Sequence, residues 1–550
     1  MKIKSDLIIF FVLFITCFFI TYYFRISPNW DFYSYHYYNG WAILNDRLNI
    51  DLLPCLFRTY FNPYFDAIMY LILQGTENKP FLLFLIMVLK LSLLFFFGYK
   101  VTNTALLYTD KNHKIAILFC IVMGVLSPII IMCNSIENTD IPSGILCLIA
   151  LYMYSANIFY DSSPKKYISI IISLIILGIA VGLKYTNFSY IVAIFVSSLI
   201  LIKNIKNPLK TFLISLAGFF IGFSITGLSW LYIVYDKFKN PFFPYFNHIF
   251  NSPFADKTII FNTDFCHLKQ NSIWKYIFMP LKNSLNEINI GIEYMYYDLK
   301  IILGFTVIIG LFLILNIKKI RENTKNIVNI KILYFLLYFT VFSYYINLFI
   351  FGNYRYVLVL FLMVPLFIYV CFSQIQNRKL LNCLLLLVLF LSYNNYVMPN
   401  NFKCGLPKSI IEIQNLNFED NSIILCAGFL TAYIAPHQNE KVKYIGFTLP
   451  EEYIKNTYYI KKRSVFKNKF YANKFLEKTI EKEIQASEHL YIIFSEDSLG
   501  TNFHDFKLYE QAINKYSMGT YTEIKDCKYI KYSLYEIENP IARYQVCKIK

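Results

Sequence analysis

The chain has 550 residues, of which 57% are hydrophobic and only 16% are charged, and its mean hydropathy is +0.45. Because soluble domains carry about 25% charged residues, this composition excludes an ordinary soluble protein over the full length. The formal net charge is +17. Much of that excess lies in short segments between apolar blocks, which is typical of membrane topology, so we expect no nucleic-acid partner.

Long apolar blocks recur along the first 400 residues. An α-helix needs about 20 apolar residues to cross the hydrocarbon core of a bilayer, and the chain offers about eleven such blocks. The predicted spans are 7–24, 80–99, 114–133, 141–160, 167–184, 186–202, 211–235, 299–317, 329–351, 355–373 and 380–397. The first span is expected to be retained, because no small-residue cleavage site follows it.

The charges between the spans predict the topology. Lys and Arg cluster at every second connection, from Lys100 through Lys165 and Lys203 to Lys318 and Arg378, which places those connections and the N-terminus in the cytoplasm. The connections facing outward are then 25–79, 134–140, the tight turn near 185, 236–298, 352–354 and everything after 398. The Lys-, Asn- and Ile-rich usage indicates a bacterial protein, so the expected location is the inner membrane, with membrane lipids as neighbours.

The pattern changes after Pro399. Short apolar runs alternate with charged stretches that read as helices, such as Lys474–Ala486. The apolar runs are Ser422–Phe429, Val442–Phe447 and His489–Phe494. We therefore predict a polytopic α-helical membrane domain over 1–398, and a soluble extracytoplasmic α/β domain over 399–550.

Four cysteines lie in the predicted soluble domain. An oxidising compartment would allow a Cys527–Cys547 or a Cys404–Cys426 disulfide. Spacing alone does not choose between them.

One carboxylate stands just past the first span. Asp31, in the run Trp30 to His36, is expected at the outer membrane surface. There it could act as a general base that takes a proton from an acceptor hydroxyl. It could equally cap the helix that follows, and the residues alone leave both interpretations open.

Two further carboxylates stand in the short loop between the third and fourth predicted spans. Glu137 and Asp140 are three residues apart, so a helical turn would place them on one face. They could bind a metal ion, orient an acceptor or assist Asp31. Alternatively, Asp140 caps the next span, ahead of Pro142.

Three cations are candidates for a phosphate group. Arg355 is expected at the outer mouth of a late span, Lys184 at the outer end of another, and Arg58 in the first outer loop. Such groups stabilise a phosphate leaving group, although each could instead be an interface anchor. Lys90 is different, because it lies in the middle of a span and is expected to pair within the bundle.

Several motifs are missing from the sequence. It has no P-loop, GxSxG elbow, HExxH pair or GxGxxG turn after a strand. Their absence disfavours a nucleotide-driven pump, a serine hydrolase, a zinc protease and a transferase that binds a nucleotide sugar on a Rossmann domain.

A lone loop histidine such as His36 is more often structural than catalytic.

The order and predicted sidedness of these residues resemble the GT-C superfamily of polytopic glycosyltransferases, which includes protein mannosyltransferases and the aminoarabinose transferase of lipid A. Asp31 matches the acidic residue of their first outer loop, and Glu137 with Asp140 matches a second acidic loop. Arg355-Tyr356 matches an Arg-Tyr pair at the head of a late span. The runs Tyr35-His36-Tyr37-Tyr38-Asn39 and Asn240 to Asn247 look like an uncharacterised bacterial subgroup.

The resemblance covers roughly residues 1–400, and it implies inverting transfer from a polyprenyl-phosphate sugar to a glycan, lipid or protein acceptor. Together with the residue arguments above, we expect Asp31 to be the catalytic base, Arg355, Lys184 and Arg58 to bind the lipid phosphate, and His36, Tyr35 and Tyr356 to be further candidates. No cofactor is certain, and a divalent cation is a candidate. The rival interpretations are a non-enzymatic flippase or exporter of lipid-linked glycans, and a glycan polymerase or ligase of different topology.

Overall fold

The computed structural model describes residues 2–24, 31–108, 112–160, 163–257, 273–281, 299–375, 377–394, 404–406, 412–427, 430–447, 474–495, 513–514, 525–529, 532–533 and 544–549. These residues divide into two compact units. The helical unit comprises Met1–Ile26, Phe84–Leu228 and Phe265–Gly405. The sheet unit comprises Ser27–Leu83, Ser229–Asp264 and Leu406–Lys550.

Helices account for most of the described chain. They are α1 Lys2–Tyr23, α2 Tyr37–Leu44, α3 Tyr64–Gly75, α4 Pro80–Ala105, α5 His113–Val125, α6 Pro128–Met132, α7 Asp140–Asn157, α8 Pro164–Leu183, α9 Phe188–Ile200, α10 Pro208–Phe223, α11 Ser229–Phe238, α12 Asn247–Phe250, α13 Ile273–Ile277, α14 Leu299–Ile314, α15 Lys318–Lys325, α16 Ile330–Ile350, α17 Leu358–Phe361, α18 Val364–Phe372, α19 Arg378–Asn394 and α20 Lys474–Ala486. Two π-helical segments, Phe32–His36 and Ser224–Leu228, interrupt this series.

Several helices are long and apolar enough to cross a membrane. Within the described residues there are five, Lys4–Tyr23, Pro80–Ala105, Pro164–Leu183, Pro208–Phe238 and Ile330–Ile350, or up to seven if each of two bent helix pairs is one span. One bent pair, Tyr354–Phe361 with Val364–Phe372, turns by 42°. A helix overlaps every predicted span, but the number eleven stays a prediction, because several of these helices are shorter than a bilayer requires.

Sequence signals explain where the long helices begin and how closely they pack. Proline stands in the first turn of the helices that start at Pro164 and Pro208, where its missing N–H leaves no hydrogen bond unmade. These two helices lie against each other so closely that a Cβ atom on Gly222 would come within 2.0 Å of the Ile175 carbonyl oxygen. Small residues at such contacts are typical of helices that associate in membranes.

The sheet unit contains a five-stranded mixed sheet. Its strands are β2 Ile423–Ala427, β3 Lys443–Phe447, β4 Leu490–Ser495, β5 Lys525–Tyr529 and β7 Tyr544–Lys548, in the order β3-β2-β4-β7-β5. Strand β2 runs parallel to β3 and β4, whereas β7 runs antiparallel to β4 and β5. A separate antiparallel pair joins β1 Glu412–Ile413 to β6 Tyr532–Ser533. The predicted apolar runs form β2, β3 and β4, and Lys474–Ala486 forms the predicted helix.

Part of the predicted first outer loop is bonded to this sheet. Leu52 forms a parallel bridge to Ile445, with its N–H donating to the Tyr444 carbonyl at 3.0 Å. Gly446 makes the contact possible, since a Cβ atom there would stand 2.0 Å from the Leu53 carbonyl oxygen. The backbone of the loop thus extends the sheet at the edge of β3.

A buried ion pair secures the same junction. Arg47 donates to the Asp51 carboxylate at 2.7 and 3.0 Å, and the two side chains are 2% and 1% exposed. The carboxylate also accepts from the Tyr38 hydroxyl at 2.6 Å and from the Tyr444 N–H at 2.8 Å. Arg47 donates in addition to the carbonyls of Glu440 and Val442. Burial raises the pKa of Asp51, and the donors from Arg47 and Tyr38 oppose that rise.

The structure forms the first of the two disulfides that the sequence allows. Cys527 on β5 is bonded to Cys547 on the neighbouring strand β7. Cys404 and Cys426 are both free thiols, the first exposed and the second buried. The alternative pairing is therefore not made.

Replacing Arg47 by methionine is expected to destabilise the sheet unit by about 3 kcal/mol, because Asp51 would be left as a buried, uncompensated charge. The loss should be smaller at about pH 5 than at about pH 8. A buried acid with a raised pKa contributes most stability when it is protonated, and that contribution disappears as the pH rises through its pKa.

Denaturant unfolding of the detergent-solubilised protein measures this effect. The exposed pair Lys239 and Asp236 is the control, and its K239M change should cost less than about 1 kcal/mol. An R47M variant as stable as the wild type at both pH values would contradict the proposed role of the pair.

Candidate functional site

Three helix ends in the helical unit bring together residues that the sequence predicted as site residues. Lys184 forms an ion pair with the Asp140 carboxylate. The Nε atom of Arg355 lies 3.7 Å from the other oxygen of the same carboxylate. Asp140 is 4% exposed at its side chain, whereas Lys184 and Arg355 are 16% and 20% exposed. One buried acid is therefore faced by two more accessible cations.

The local sequence explains the positions of the first two groups. Asp140 is the first residue of the helix Asp140–Asn157, and its backbone N–H is bonded by the Asn138 side chain at 2.8 Å. Lys184 directly follows the helix Pro164–Leu183. An acid at a helix N-terminus and a cation at a C-terminus both oppose the charge of the helix dipole. Asp140 does not cap this helix, because the cap position is Thr139 and the Asp140 carboxylate binds Lys184.

Arg355 is positioned by the turn that precedes the bent helix pair. Its N–H donates to the Asn353 side chain at 3.0 Å, which caps the 3-10 helix Tyr354–Val357. The ring of Tyr356 lies 5.3 Å from the Lys184 ammonium and 5.6 Å from the Arg355 guanidinium. The aromatic face thus contributes a cation–π contact to both cations.

Glu137 and Lys90 extend this group. Lys90, near the middle of the helix Pro80–Ala105, donates to the carbonyl of Ser135 at 2.6 Å, two residues before Glu137. Glu137 is 1% exposed and lies in a bend outside any helix. The two carboxylates are therefore not related by a helical turn, and the predicted outer loop 134–140 is largely buried in the helical unit.

We call Lys90, Glu137, Asp140, Lys184 and Arg355 the charged cluster. The short loop 134–140 links them, since Lys90 donates to the Ser135 carbonyl and Lys184 is paired with the Asp140 carboxylate. Of these five described residues, three are basic and two are acidic. Because the effective dielectric constant is low among apolar helices, Lys184 and Arg355 attract an anion more strongly there than they would in water.

The residues of the charged cluster do not fit a divalent cation. Magnesium and calcium prefer six or more oxygen ligands, whereas the Asp140 carboxylate is held by an ammonium and faced by a guanidinium. Among the described residues, no three His, Cys, Asp or Glu side chains come together in a group that could hold a metal ion. We therefore derive no step through a metal.

A second group lies in the sheet unit, around the start of the first loop. Asp31 is 9% exposed and precedes the π-helical segment Phe32–His36 with helical backbone angles and no side-chain capping hydrogen bond. The capping alternative for Asp31 is therefore not realised. Single-turn π-helices are frequent at functional sites, because they redirect side chains that an α-helix would orient differently.

His36, Arg58 and Tyr35 are held near that turn. The Nδ1 atom of His36 lies 2.6 Å from the Asp66 carboxylate, and both side chains are buried. Arg58 donates to the Ser34 hydroxyl at 3.2 Å and stands 5.6 Å from the centre of the Tyr35 ring. A carboxylate on one imidazole nitrogen fixes the tautomer and orientation of the ring.

Two members of these groups were not predicted as site residues. Lys90 was expected only to pair within the bundle, and Asp66 was not assigned any role. The signal for Asp66 is its place on the buried stripe of the helix Tyr64–Gly75, beside Met69, Tyr70 and Leu73. Asp31 and Asp140 belong to different units, so a chamber shared by them stays a prediction.

Neither a scan against protein-family models nor a search of curated proteins finds a match to this chain. The function is therefore argued from the residues themselves.

A Lys184→Met variant is expected to lose about 3 kcal/mol of stability, because it removes the ammonium from a buried carboxylate. The double variant K184M/D140L should recover part of that loss. Thermal unfolding in detergent measures both. Equal losses in the single and double variants would show that the charge pairing does not matter for stability.

Proposed function

We propose that this protein is an integral membrane glycosyltransferase of GT-C type, which moves a sugar from a polyprenyl-phosphate-linked donor to an extracytoplasmic acceptor. The acceptor is a glycan, a lipid or a protein. The observation that carries the proposal is the convergence of Lys184 and Arg355 on Asp140 at the ends of apolar helices.

The donor class follows from two properties of that place. A polyprenyl chain needs an apolar environment, and the surrounding helices supply one. Its phosphate becomes more negative as the sugar leaves, and neighbouring Lys and Arg groups stabilise that charge. A soluble nucleotide sugar would need no such apolar surroundings.

The proposed reaction assigns one role to each group. The Asp31 carboxylate takes the proton of the acceptor hydroxyl while the oxygen of that hydroxyl attacks the anomeric carbon of the sugar. The bond between the anomeric carbon and the phosphate oxygen breaks. Lys184 and Arg355 hold the departing lipid phosphate. Arg58 lies beside the turn of Asp31 through Ser34 and is proposed to hold the same phosphate or the sugar.

The proposed membrane arrangement is that of about eleven spans. The N-terminus is cytoplasmic, the sheet unit extracytoplasmic, and the membrane is the bacterial inner membrane. The Cys527–Cys547 disulfide supports an oxidising location for the sheet unit, because cytosolic proteins seldom keep such bonds.

One observation favours the exporter alternative. Thr340, Ser343 and Asn347 are buried polar residues on one face of the helix Ile330–Ile350. Polar side chains within a membrane helix often mark a pathway for a polar substrate. An exporter would move a lipid-linked glycan across proteoliposomes and leave the glycosidic bond to the phosphate intact.

Purified protein in nanodiscs with a polyprenyl-phosphate sugar and candidate acceptors tests the transferase. The D31N variant is expected to bind undecaprenyl phosphate like the wild type but to transfer sugar at least about a hundredfold more slowly, because the base is gone. R355Q is expected to bind the lipid phosphate about tenfold more weakly.

K325Q is the matched control, since Lys325 also forms an ion pair but is exposed, and its affinity should equal that of the wild type. A folded D31N protein with full transfer activity would remove Asp31 as the base. Equal affinity in R355Q and K325Q would remove Arg355 from the phosphate site.

The topology has its own test. Cys404 is an exposed thiol, so a membrane-impermeant maleimide added to intact spheroplasts should label it from outside. Labelling only after the membrane is permeabilised would place the chain after residue 398 in the cytoplasm. A C404S variant is the control for labelling of other cysteines.

A further inference from the structure

We propose that Asp140 is a built-in competitor of the lipid phosphate, an internal anion that occupies Lys184 and Arg355 between turnovers and drives the product phosphate off them. The inference rests on the proposed function, and it gives Asp140 a role in product release rather than in metal binding or acceptor positioning.

The first argument is the shared target. One carboxylate contacts both proposed phosphate-binding cations, with Oδ1 on Lys184 and Oδ2 3.7 Å from Arg355. A carboxylate and a phosphate use the same geometry towards such donors. An arriving phosphate must therefore share the two cations with Asp140 or displace it.

The second argument is the direction from which the cations are reached. Asp140 is 4% exposed, whereas Lys184 and Arg355 are 16% and 20% exposed. A ligand thus has a route to the cations that it does not have to the buried acid. The negative charge of the acid remains close to the cations and continues to oppose a second anion there.

The third argument is that the cations do not depend on Asp140 alone for their positions. The Lys184 ammonium also donates to the Thr139 hydroxyl at 2.9 Å and lies over the Tyr356 ring. Arg355 is fixed by the Asn353 cap and lies over the same ring. Both would therefore remain near their places when the phosphate engages them.

Removing the charge of Asp140 should therefore have opposite effects on the affinity for the product phosphate and on the rate of turnover. Without the competing charge, the product lipid phosphate should be held more tightly and released more slowly. Loss of a residue needed only for folding would lower both product affinity and turnover. Loss of an acceptor-positioning residue would leave product affinity unchanged.

The test uses the full-length protein in nanodiscs and undecaprenyl phosphate as the probe. D140N is expected to bind it about tenfold more tightly than the wild type, while steady-state transfer falls and the first turnover is kept. D140E keeps the charge and should keep the wild-type affinity. E322Q neutralises an exposed paired acid in the same unit and should change neither quantity.

A folded D140N protein with unchanged or weaker affinity would overturn the inference. If D140N does not fold, infrared difference spectra of the wild type with carboxyl-labelled aspartate decide instead. Adding undecaprenyl phosphate should shift the band of a buried carboxylate as it loses its ammonium partner, and an unchanged band would overturn the inference.

The two proposals fail differently. If the wild type and R355Q bind undecaprenyl phosphate equally weakly, the donor class of the proposed function is wrong. If the wild type binds it and R355Q does not, but D140N binds it no more tightly than the wild type, only the role of Asp140 in release is wrong.

Discussion

The energetic cost of placing charge among apolar side chains is the constraint on which the rest of this structure depends. An isolated ion in such surroundings is several kcal/mol less stable than in water, so each buried charge needs a partner or a use. Two of the buried charge groups, one in each unit, meet this constraint to different degrees. That difference separates a structural pair from a candidate site.

In the sheet unit, Arg47 and Asp51 satisfy each other and their neighbours. Both are buried, the carboxylate accepts from Tyr38 and Tyr444 as well, and the guanidinium reaches two strand carbonyls. Such a network resists an exchange of partners, because four N–H groups of Arg47 and both oxygens of Asp51 are already bonded. It holds the first loop to the sheet, which is a structural role.

In the helical unit, the charged cluster is less enclosed. Lys184 and Arg355 are more accessible than Asp140. Partly exposed cations can exchange partners, which a binding site requires. The contrast with the Arg47 pair explains why similar residue types support an architectural role in one unit and a proposed catalytic role in the other.

The sequence predicted the helices, the strands β2 to β4 and the helix Lys474–Ala486, because periodicity and apolar length report local structure directly. It also placed Lys184 and Arg355 at helix ends. It did not predict that Glu137 lies outside a helix, that Asp66 pairs with His36, or that Leu52 joins β3. These depend on contacts between residues distant along the chain, and no local pattern encodes them.

The bridge from Leu52 to Ile445 has a consequence for how the protein could be dissected. The outer strand of a sheet presents a row of unsatisfied backbone donors and acceptors that recruits foreign strands. Here a segment from the beginning of the chain covers part of that row. A fragment beginning near Leu406 would lack this cover and expose the backbone of β3 at the sheet edge, so we expect it to aggregate when expressed by itself.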